Sequence, residues 1–179
     1  MSTNLQRYNL VAIILHWVTA LLIIYMLVWG EGLIKGQPWN HVAATNPGLH
    51  ASLGLSILIL TAARIVWRLM NPPPPDVPMP KWQAQASHVL HWGLYALLVL
   101  IPLSGLAALD RSIAGKHPEY ADLTFFNLFT MPHFSLPWFG STHGLLTNLT
   151  WALLALHVVA ALKHQFIDKD RLMNRMSLR

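Results

Sequence analysis

Long apolar runs alternate along the chain with short polar, proline-rich or aromatic-rich segments. Four of these runs are long enough to cross about 30 Å of hydrocarbon, which takes about 20 helical residues. They cover residues 9–29, 50–69, 88–109 and 143–163. Four such spans leave no room for a second unit, so the pattern predicts an all-α membrane protein, a four-transmembrane-helix bundle with one domain over residues 1–179.

Composition supports this prediction and limits the possible chemistry. Hydrophobic residues make up 54% of the 179, charged residues only 11%, and the mean hydropathy is +0.43, which is too apolar for a soluble domain. Cysteine is absent, which excludes disulfides, thiolate-bound haem, covalently attached haem and iron–sulfur clusters. The first run lacks an Ala-x-Ala-like cleavage site and contains His16 and Trp17, so we expect it to remain in the mature protein.

Lysine and arginine are distributed unevenly between the two ends of the predicted spans. One set of flanks carries Arg7, Arg64, Arg68, Lys81, Lys163, Lys169, Arg171, Arg175 and Arg179. The other set carries Lys35, Arg111 and Lys116. The positive-inside rule therefore predicts that both termini are cytoplasmic. This asymmetry accounts for the net charge of +5, and nothing in the sequence indicates nucleic-acid binding.

The segments between the spans have different expected roles. Residues 71–80 contain six prolines and are expected to form a stiff cytoplasmic spacer between two helical hairpins, with a ligand for a proline-binding module as the alternative. The loops 30–49 and 110–142 are expected on the outer side. The second loop is rich in proline and aromatic residues, which predicts a partly helical cap lying on the membrane interface.

Histidine distinguishes this chain from a plain membrane anchor. Seven of its ten histidines lie within or at the ends of the spans: His16, His50, His88, His91, His143, His157 and His164. An ionisable side chain in a bilayer is costly, so each is a candidate functional residue. At the cytoplasmic edge, however, His88 and His164 are more simply interpreted as interfacial residues. The loop residues His41, His117 and His133 are expected to be ordinary solvated histidines.

The spacing of His143 and His157 predicts two binding levels on one helix. Fourteen residues separate them, which places the second imidazole within about 40° of the first around the helix and about 21 Å along it. His50 opens its span at the level of His143, and His16 lies at the cytoplasmic depth of His157. Two such pairs predict two bis-histidine sites for b-type haem, an arrangement suited to electron transfer because no coordination position stays open.

Two questions about these sites remain open in the sequence. His91 also lies near the cytoplasmic face and could replace His16 or His157, although its shallower predicted position favours contact with a haem propionate, a quinone or water. Bound imidazoles need acceptors for their other ring nitrogen. The candidate acceptors, which the sequence does not assign, are Thr19, Ser52, Ser104 and Thr147.

An ordered set of motifs over nearly the whole chain resembles the bacterial cytochrome b561 family, in particular its superoxide oxidase branch. The motifs are Leu15-His16-Trp17, Gly48-Leu49-His50, Ala63-Arg64-Ile65-Val66-Trp67-Arg68, His88-Val89-Leu90-His91, His143 and Leu156-His157. The resemblance implies a bacterial inner-membrane protein with two haems b. It implies that His50 and His143 bind the outer haem and His16 and His157 the inner one. Its implied reaction passes electrons from periplasmic superoxide to ubiquinone.

Charged and aromatic residues suggest how these substrates would be handled. Lys35, Arg111 and Lys116 could attract anionic superoxide to the outer loops, or they could be ordinary loop charges. Arg64 lies deeper than Arg68 and is the better candidate to bind a haem propionate. A quinone pocket beside the inner haem would be formed by Trp17, Lys81, Trp82, His88, His91 and Trp92.

Two other functions are compatible with the same sequence. One is a quinone-linked cytochrome b that exchanges electrons with a soluble redox partner protein at the outer loops. The other is a non-catalytic haem-bearing anchor subunit of a dehydrogenase or hydrogenase complex.

Overall fold

Four long helices dominate the computed structural model, which describes residues 6–35, 46–108, 123–132, 134 and 136–178, without the side chains of residues 32 and 35. The long helices are α1 (Leu10–Lys35), α2 (Pro47–Met70), α3 (Lys81–Ala108) and α5 (His143–Lys163). All four are long and apolar enough to cross a membrane. The predicted all-α fold with four transmembrane helices is therefore confirmed.

The helix boundaries differ from the predicted spans where polar residues extend a helix. α1 continues to Lys35 rather than ending at residue 29, and α3 begins at Lys81 rather than at His88. Helical hydrogen bonding does not stop where the apolar run stops, so hydropathy underestimates helix length. His91 consequently lies ten residues into α3, about 15 Å by helical rise. Its position is therefore not shallow, and depth does not favour contact with a propionate, a quinone or water over binding to the haem iron.

Local sequence explains where α1 and α2 begin and where α2 ends. The side chain of Asn9 accepts a hydrogen bond from the backbone N–H of Ala12, and Asn46 accepts one from Leu49, so each caps the first turn of a helix. Pro47 occupies the first position of α2, where its missing N–H costs nothing. The prolines of residues 71–80 then keep that segment non-helical, as expected.

Each long helix packs against the next one in the described chain: α1 on α2, α2 on α3, and α3 on α5. Among the described residues, the largest side chains that are completely buried belong to small hydroxyl residues: Thr19, Ser52, Thr61, Ser104 and Thr150. Many large apolar side chains are exposed, including Leu21, Leu69 and Val89. This is the arrangement of a bundle in lipid, where small residues allow close packing between helices and bulky apolar residues face the hydrocarbon.

The described part of the loop before α5 forms a small cap over one end of the bundle. Strands β1 (Thr124–Phe125) and β2 (Phe129–Thr130) form an antiparallel hairpin, and α4 (Pro137–Gly140) is a single helical turn. The hairpin is anchored to α2, because Ser52 Oγ accepts a hydrogen bond from the N–H of Phe126 at 3.0 Å. The helical turn agrees with the predicted partly helical cap, whereas the hairpin was not predicted.

The C-terminal segment folds back under the opposite end. α5 passes into a π-helical turn, His164–Asp168, and a 3₁₀ helix, Leu172–Met176. The buried Arg175 donates hydrogen bonds to the carbonyls of Gln6 at 3.0 Å and Pro75 at 2.8 Å, and its guanidinium lies over the ring of Tyr8. One arginine thus joins the N-terminal segment, the proline-rich connector and the tail.

Candidate functional site

Two histidines face each other at the end of the bundle covered by the hairpin. His50 comes from the first turn of α2, and His143 is the first residue of α5. Their ring centroids are 6.2 Å apart, with the ring planes at 61°. The two residues that the spacing placed at one level are therefore brought together.

Three histidines gather at the other level. The ring of His157 on α5 lies 6.4 Å from the ring of His16 on α1 and 5.4 Å from that of His91 on α3, measured between centroids. His16 and His157 are thus brought together as expected. His91 shares the cluster, so the alternative in which it replaces one of them stays open.

The spacing of the rings can be compared with what one metal ion between two imidazoles requires. With metal–nitrogen bonds of about 2.0–2.1 Å and about 1.1 Å from each nitrogen to its ring centre, the two centroids should lie about 6.3 Å apart. The 6.2 Å of His50 and His143 and the 6.4 Å of His16 and His157 both fit this distance, whereas the 5.4 Å of His91 and His157 is short. The donor set therefore suits bis-histidine haem at two levels, about 21 Å apart along α5.

At the hairpin end, hydrogen bonds fix which ring nitrogen is free. His50 Nδ1 lies 2.9 Å from the carbonyl oxygen of Gly30, and His143 Nδ1 lies 3.0 Å from that of Ile101. A carbonyl can only accept, so each Nδ1 carries the proton, and the lone pair of Nε2 is available to a metal. Ser104 Oγ is a second acceptor, 3.0 Å from His143 Nδ1.

Two glycines allow these rings to lie close to neighbouring helices. A Cβ atom added at Gly30 would be 3.4 Å from His50 Cε1, and one added at Gly105 would be 3.3 Å from His143 Cε1. Larger side chains there would push the imidazoles away from their carbonyl acceptors. Neither glycine was among the predicted site residues, although a glycine inside an apolar helix is a signal of close approach.

At the other level the surroundings carry a positive charge. Arg64 Nη2 lies 3.2 Å from His16 Nδ1, and its guanidinium lies 5.1 Å from the ring centroid of Tyr95. Arginine has no acceptor, so His16 Nδ1 accepts here and the ring proton lies on Nε2. Binding of a metal through Nε2 therefore requires Arg64 to release Nδ1. The two levels thus differ in kind: carbonyl acceptors surround one, and a guanidinium donor lies at the other.

Of the four candidate acceptors, only Ser104 has a hydrogen bond to a histidine ring in the described part of the chain. Thr19 Oγ1 donates to the carbonyl of Leu15, and Thr147 Oγ1 donates to that of His143. Ser52 Oγ donates to the carbonyl of Gly48 and accepts from the hairpin. Hydroxyls inside helices commonly bond to the carbonyl one turn earlier, which explains why most of them are not acceptors for the imidazoles.

The remaining candidates are dispersed. His88 pairs with Asp76 at 3.0 Å in an exposed position, and Trp17 Nε1 donates to the carbonyl of Met176 at 2.8 Å. Trp82 and Trp92 are 67% and 65% exposed. No hydrogen bond or ring contact among the described residues joins Trp17 to the indoles of α3, and the quinone pocket stays a prediction.

His164 has acidic partners that were not predicted from the sequence. Its Nδ1 lies 2.6 Å from Asp170 Oδ2 and 3.3 Å from Asp168 Oδ2, while Lys163 Nζ also pairs with Asp168 at 2.5 Å. The π-helical turn brings these carboxylates back to the histidine. The cluster forms an ion-paired end to α5.

The lysine and arginine residues predicted to attract superoxide have side chains outside the described part of the structure. Arg111 and Lys116 lie outside the described residues, as do His41, His117 and His133. Lys35 ends α1, and its side chain is also outside the description.

Known proteins resemble this chain over almost its whole length. A family model for prokaryotic cytochrome b561 matches residues 7–177. The chain is 31% identical to the probable superoxide oxidase CybB of Yersinia pestis, over 96% of each chain. It is 30% identical to cytochrome b561 homolog 2 of Escherichia coli K12, over 96% of this chain and 91% of the relative. It is 29% identical to cytochrome b562 of Cereibacter sphaeroides, over 97% of each.

Proposed function

Since the chain belongs to the prokaryotic cytochrome b561 family, whose members are membrane electron-transfer proteins that bind b-type haem, we propose that it is a superoxide:ubiquinone oxidoreductase. It would hold two haems b, take electrons from superoxide at the periplasmic surface and deliver them to ubiquinone. The observation that carries the proposal is the arrangement of four histidines in two pairs. The ring centroids are 6.2 Å apart in one pair and 6.4 Å apart in the other, and one member of each pair lies on α5.

The proposed axial ligands are His50 with His143 at the outer level and His16 with His157 at the inner level. A b-type haem, when bound, supplies a reversible one-electron change at iron, and two axial imidazoles leave that iron no open position for oxygen. The carbonyls of Gly30 and Ile101 hold the outer rings in the tautomer that offers Nε2.

Arg64 and His91 are proposed to serve the inner level. Once released from His16, the guanidinium of Arg64 is suited to bind a haem propionate through two parallel hydrogen bonds. His91, whose ring is 5.4 Å from that of His157, would contact a propionate or the quinone, and it is the alternative axial ligand. Haem content of His16→Ala and His91→Ala separates these roles, since only loss of an axial ligand removes the bis-histidine spectrum of the inner site.

The proposed reaction balances without a proton donor on the outer side. Two superoxide anions lose one electron each and leave as two molecules of oxygen, while ubiquinone takes up the two electrons and two cytoplasmic protons to form ubiquinol. The name of the Yersinia pestis relative supports superoxide as the donor. Lys35, Arg111 and Lys116 would attract this anion if the proposed orientation, with both termini cytoplasmic in the bacterial inner membrane, holds.

The proposal is tested with purified haem-loaded protein, ubiquinone and superoxide generated by xanthine oxidase. We expect rapid haem reduction and ubiquinol formation, and we expect superoxide dismutase to suppress both. Neutralising Lys35, Arg111 and Lys116 together should slow haem reduction and weaken its dependence on ionic strength. No haem reduction by superoxide would contradict the proposed donor, and co-purification with a dehydrogenase subunit would then favour the anchor function.

A further inference from the structure

The two histidine levels differ in the charges and dipoles that contact their imidazoles, although the ring separations are nearly equal. At the outer level His50 and His143 have three acceptors for two N–H groups: Gly30 O, Ile101 O and Ser104 Oγ. Among the described residues, no lysine or arginine side chain makes a hydrogen bond to either ring. At the inner level the guanidinium of Arg64 lies 3.2 Å from His16 Nδ1, and after releasing this ring it would stay beside the proposed haem by binding a propionate.

These surroundings act in opposite directions on a haem iron. An acceptor at Nδ1–H increases the basicity of the imidazole and so stabilises the oxidised, more positive iron. A nearby guanidinium disfavours the additional positive charge of the oxidised state, and so stabilises the reduced one. The first effect lowers a reduction potential and the second raises it.

We infer that Ser104 and Arg64 are positioning residues that set the outer haem at a lower reduction potential than the inner haem, so that electrons pass inward along a downhill path. This inference rests on the proposed haem ligands. It supplies a direction of electron flow that the symmetric spacing of the histidines does not.

Ser104 is placed to act on one ring only. It is completely buried, its hydroxyl donates to Ile101 O at 2.8 Å, and its oxygen faces His143 Nδ1 at 3.0 Å. Because its own proton is directed to the carbonyl, the oxygen is left to accept from the imidazole. Ser56 makes a similar helical bond, to Ser52 O at 2.8 Å, and has no hydrogen bond to any of the described histidine rings, so it provides a matched control.

The test is a spectroscopic redox titration of the haem-loaded protein. We expect two components, of which the lower-potential one disappears in His50→Ala. In Ser104→Ala the reduction potential of that component should rise, and its equilibrium constant for reduction should become about three- to fivefold larger. At 59 mV per tenfold for one electron, this is a shift of about 30–40 mV. Ser104→Thr should restore the original potential, and Ser56→Ala should leave both components unchanged.

Arg64→Gln tests the inner level independently. We expect the higher-potential component to fall, with a reduction constant about tenfold smaller, or about 59 mV, and Arg64→Lys to restore most of the shift. The loss of one component in His50→Ala identifies the outer haem. The inference would be overturned if this component had the higher potential in the wild-type protein. It would also be overturned by two retained haems whose potentials do not respond to Ser104→Ala and Arg64→Gln. Binding of fewer than two haems would instead refute the proposed function.

Discussion

Glycine residues beside His50 and His143 control how near each imidazole ring can come to a helix backbone. A Cβ added at Gly105 would lie 3.3 Å from His143 Cε1, which is tighter than most real contacts of a Cβ atom, so an added side chain competes with the ring for the same space. The histidines themselves could be predicted, because a polar side chain in an apolar span stands out in the sequence. The glycines and the carbonyl acceptors could not, since every residue has a carbonyl and only the packed helices show which one meets a ring.

Gly105→Leu should therefore displace His143 from Ile101 O and remove the haem that His50 and His143 are proposed to hold. We expect the haem-to-chain ratio to fall, because an overpacked site is relieved by moving the ring. Gly54→Leu is the matched control, since nothing lies within 4 Å of a Cβ added at Gly54. Equal haem content in the two variants would show that the close approach of Gly105 is unimportant.

The short helix α4 locates the start of α5 and hence His143. Gly140 packs against the end of α3 so closely that an added Cβ would be 2.7 Å from the Cα of Ala108. Hydropathy predicted that the four membrane spans exist. It could not predict the packing of Gly140 against the end of α3, because that packing depends on two backbones meeting across the loop. The early start of α3 at Lys81 was missed for a related reason, since it is polar residues that extend the helix.

Gly140→Ala should lower the free energy of unfolding by about 1–3 kcal/mol, the usual cost of overpacking. Gly144→Ala, four residues along the chain with open space at its Cβ, should leave stability unchanged or slightly higher. Thermal unfolding of both variants in the same detergent checks this prediction. A Tm for Gly140→Ala equal to that of the wild type would contradict the role of α4.

At the scale of the whole molecule, Arg64 and the Arg175 junction lie at the end of the described chain opposite the hairpin. This junction joins segments that are far apart in sequence, at Gln6, Pro75 and Arg175, so the sequence pattern gave no sign of it. The positive-inside rule predicts that this end is cytoplasmic. We therefore expect the tail inside and the hairpin outside.

The absence of cysteine allows this orientation to be tested with single introduced thiols. Leu128 is 76% exposed in the hairpin, and Asn174 is exposed in the tail. In intact spheroplasts a membrane-impermeant maleimide should label Leu128→Cys but not Asn174→Cys, and permeabilisation should expose the second. The reverse pattern would place the termini outside and remove the basis for superoxide reaching the hairpin end.

The haem-to-chain ratio tests most directly the central claim that α5 supplies one ligand to each of two haems. Wild-type protein should bind two haems b per chain. His157→Ala should insert in the membrane normally and retain only the haem held by His50 and His143, while the outer-loop variant His41→Ala should retain both. Two haems in His157→Ala, or a single haem in the wild type, would contradict the account.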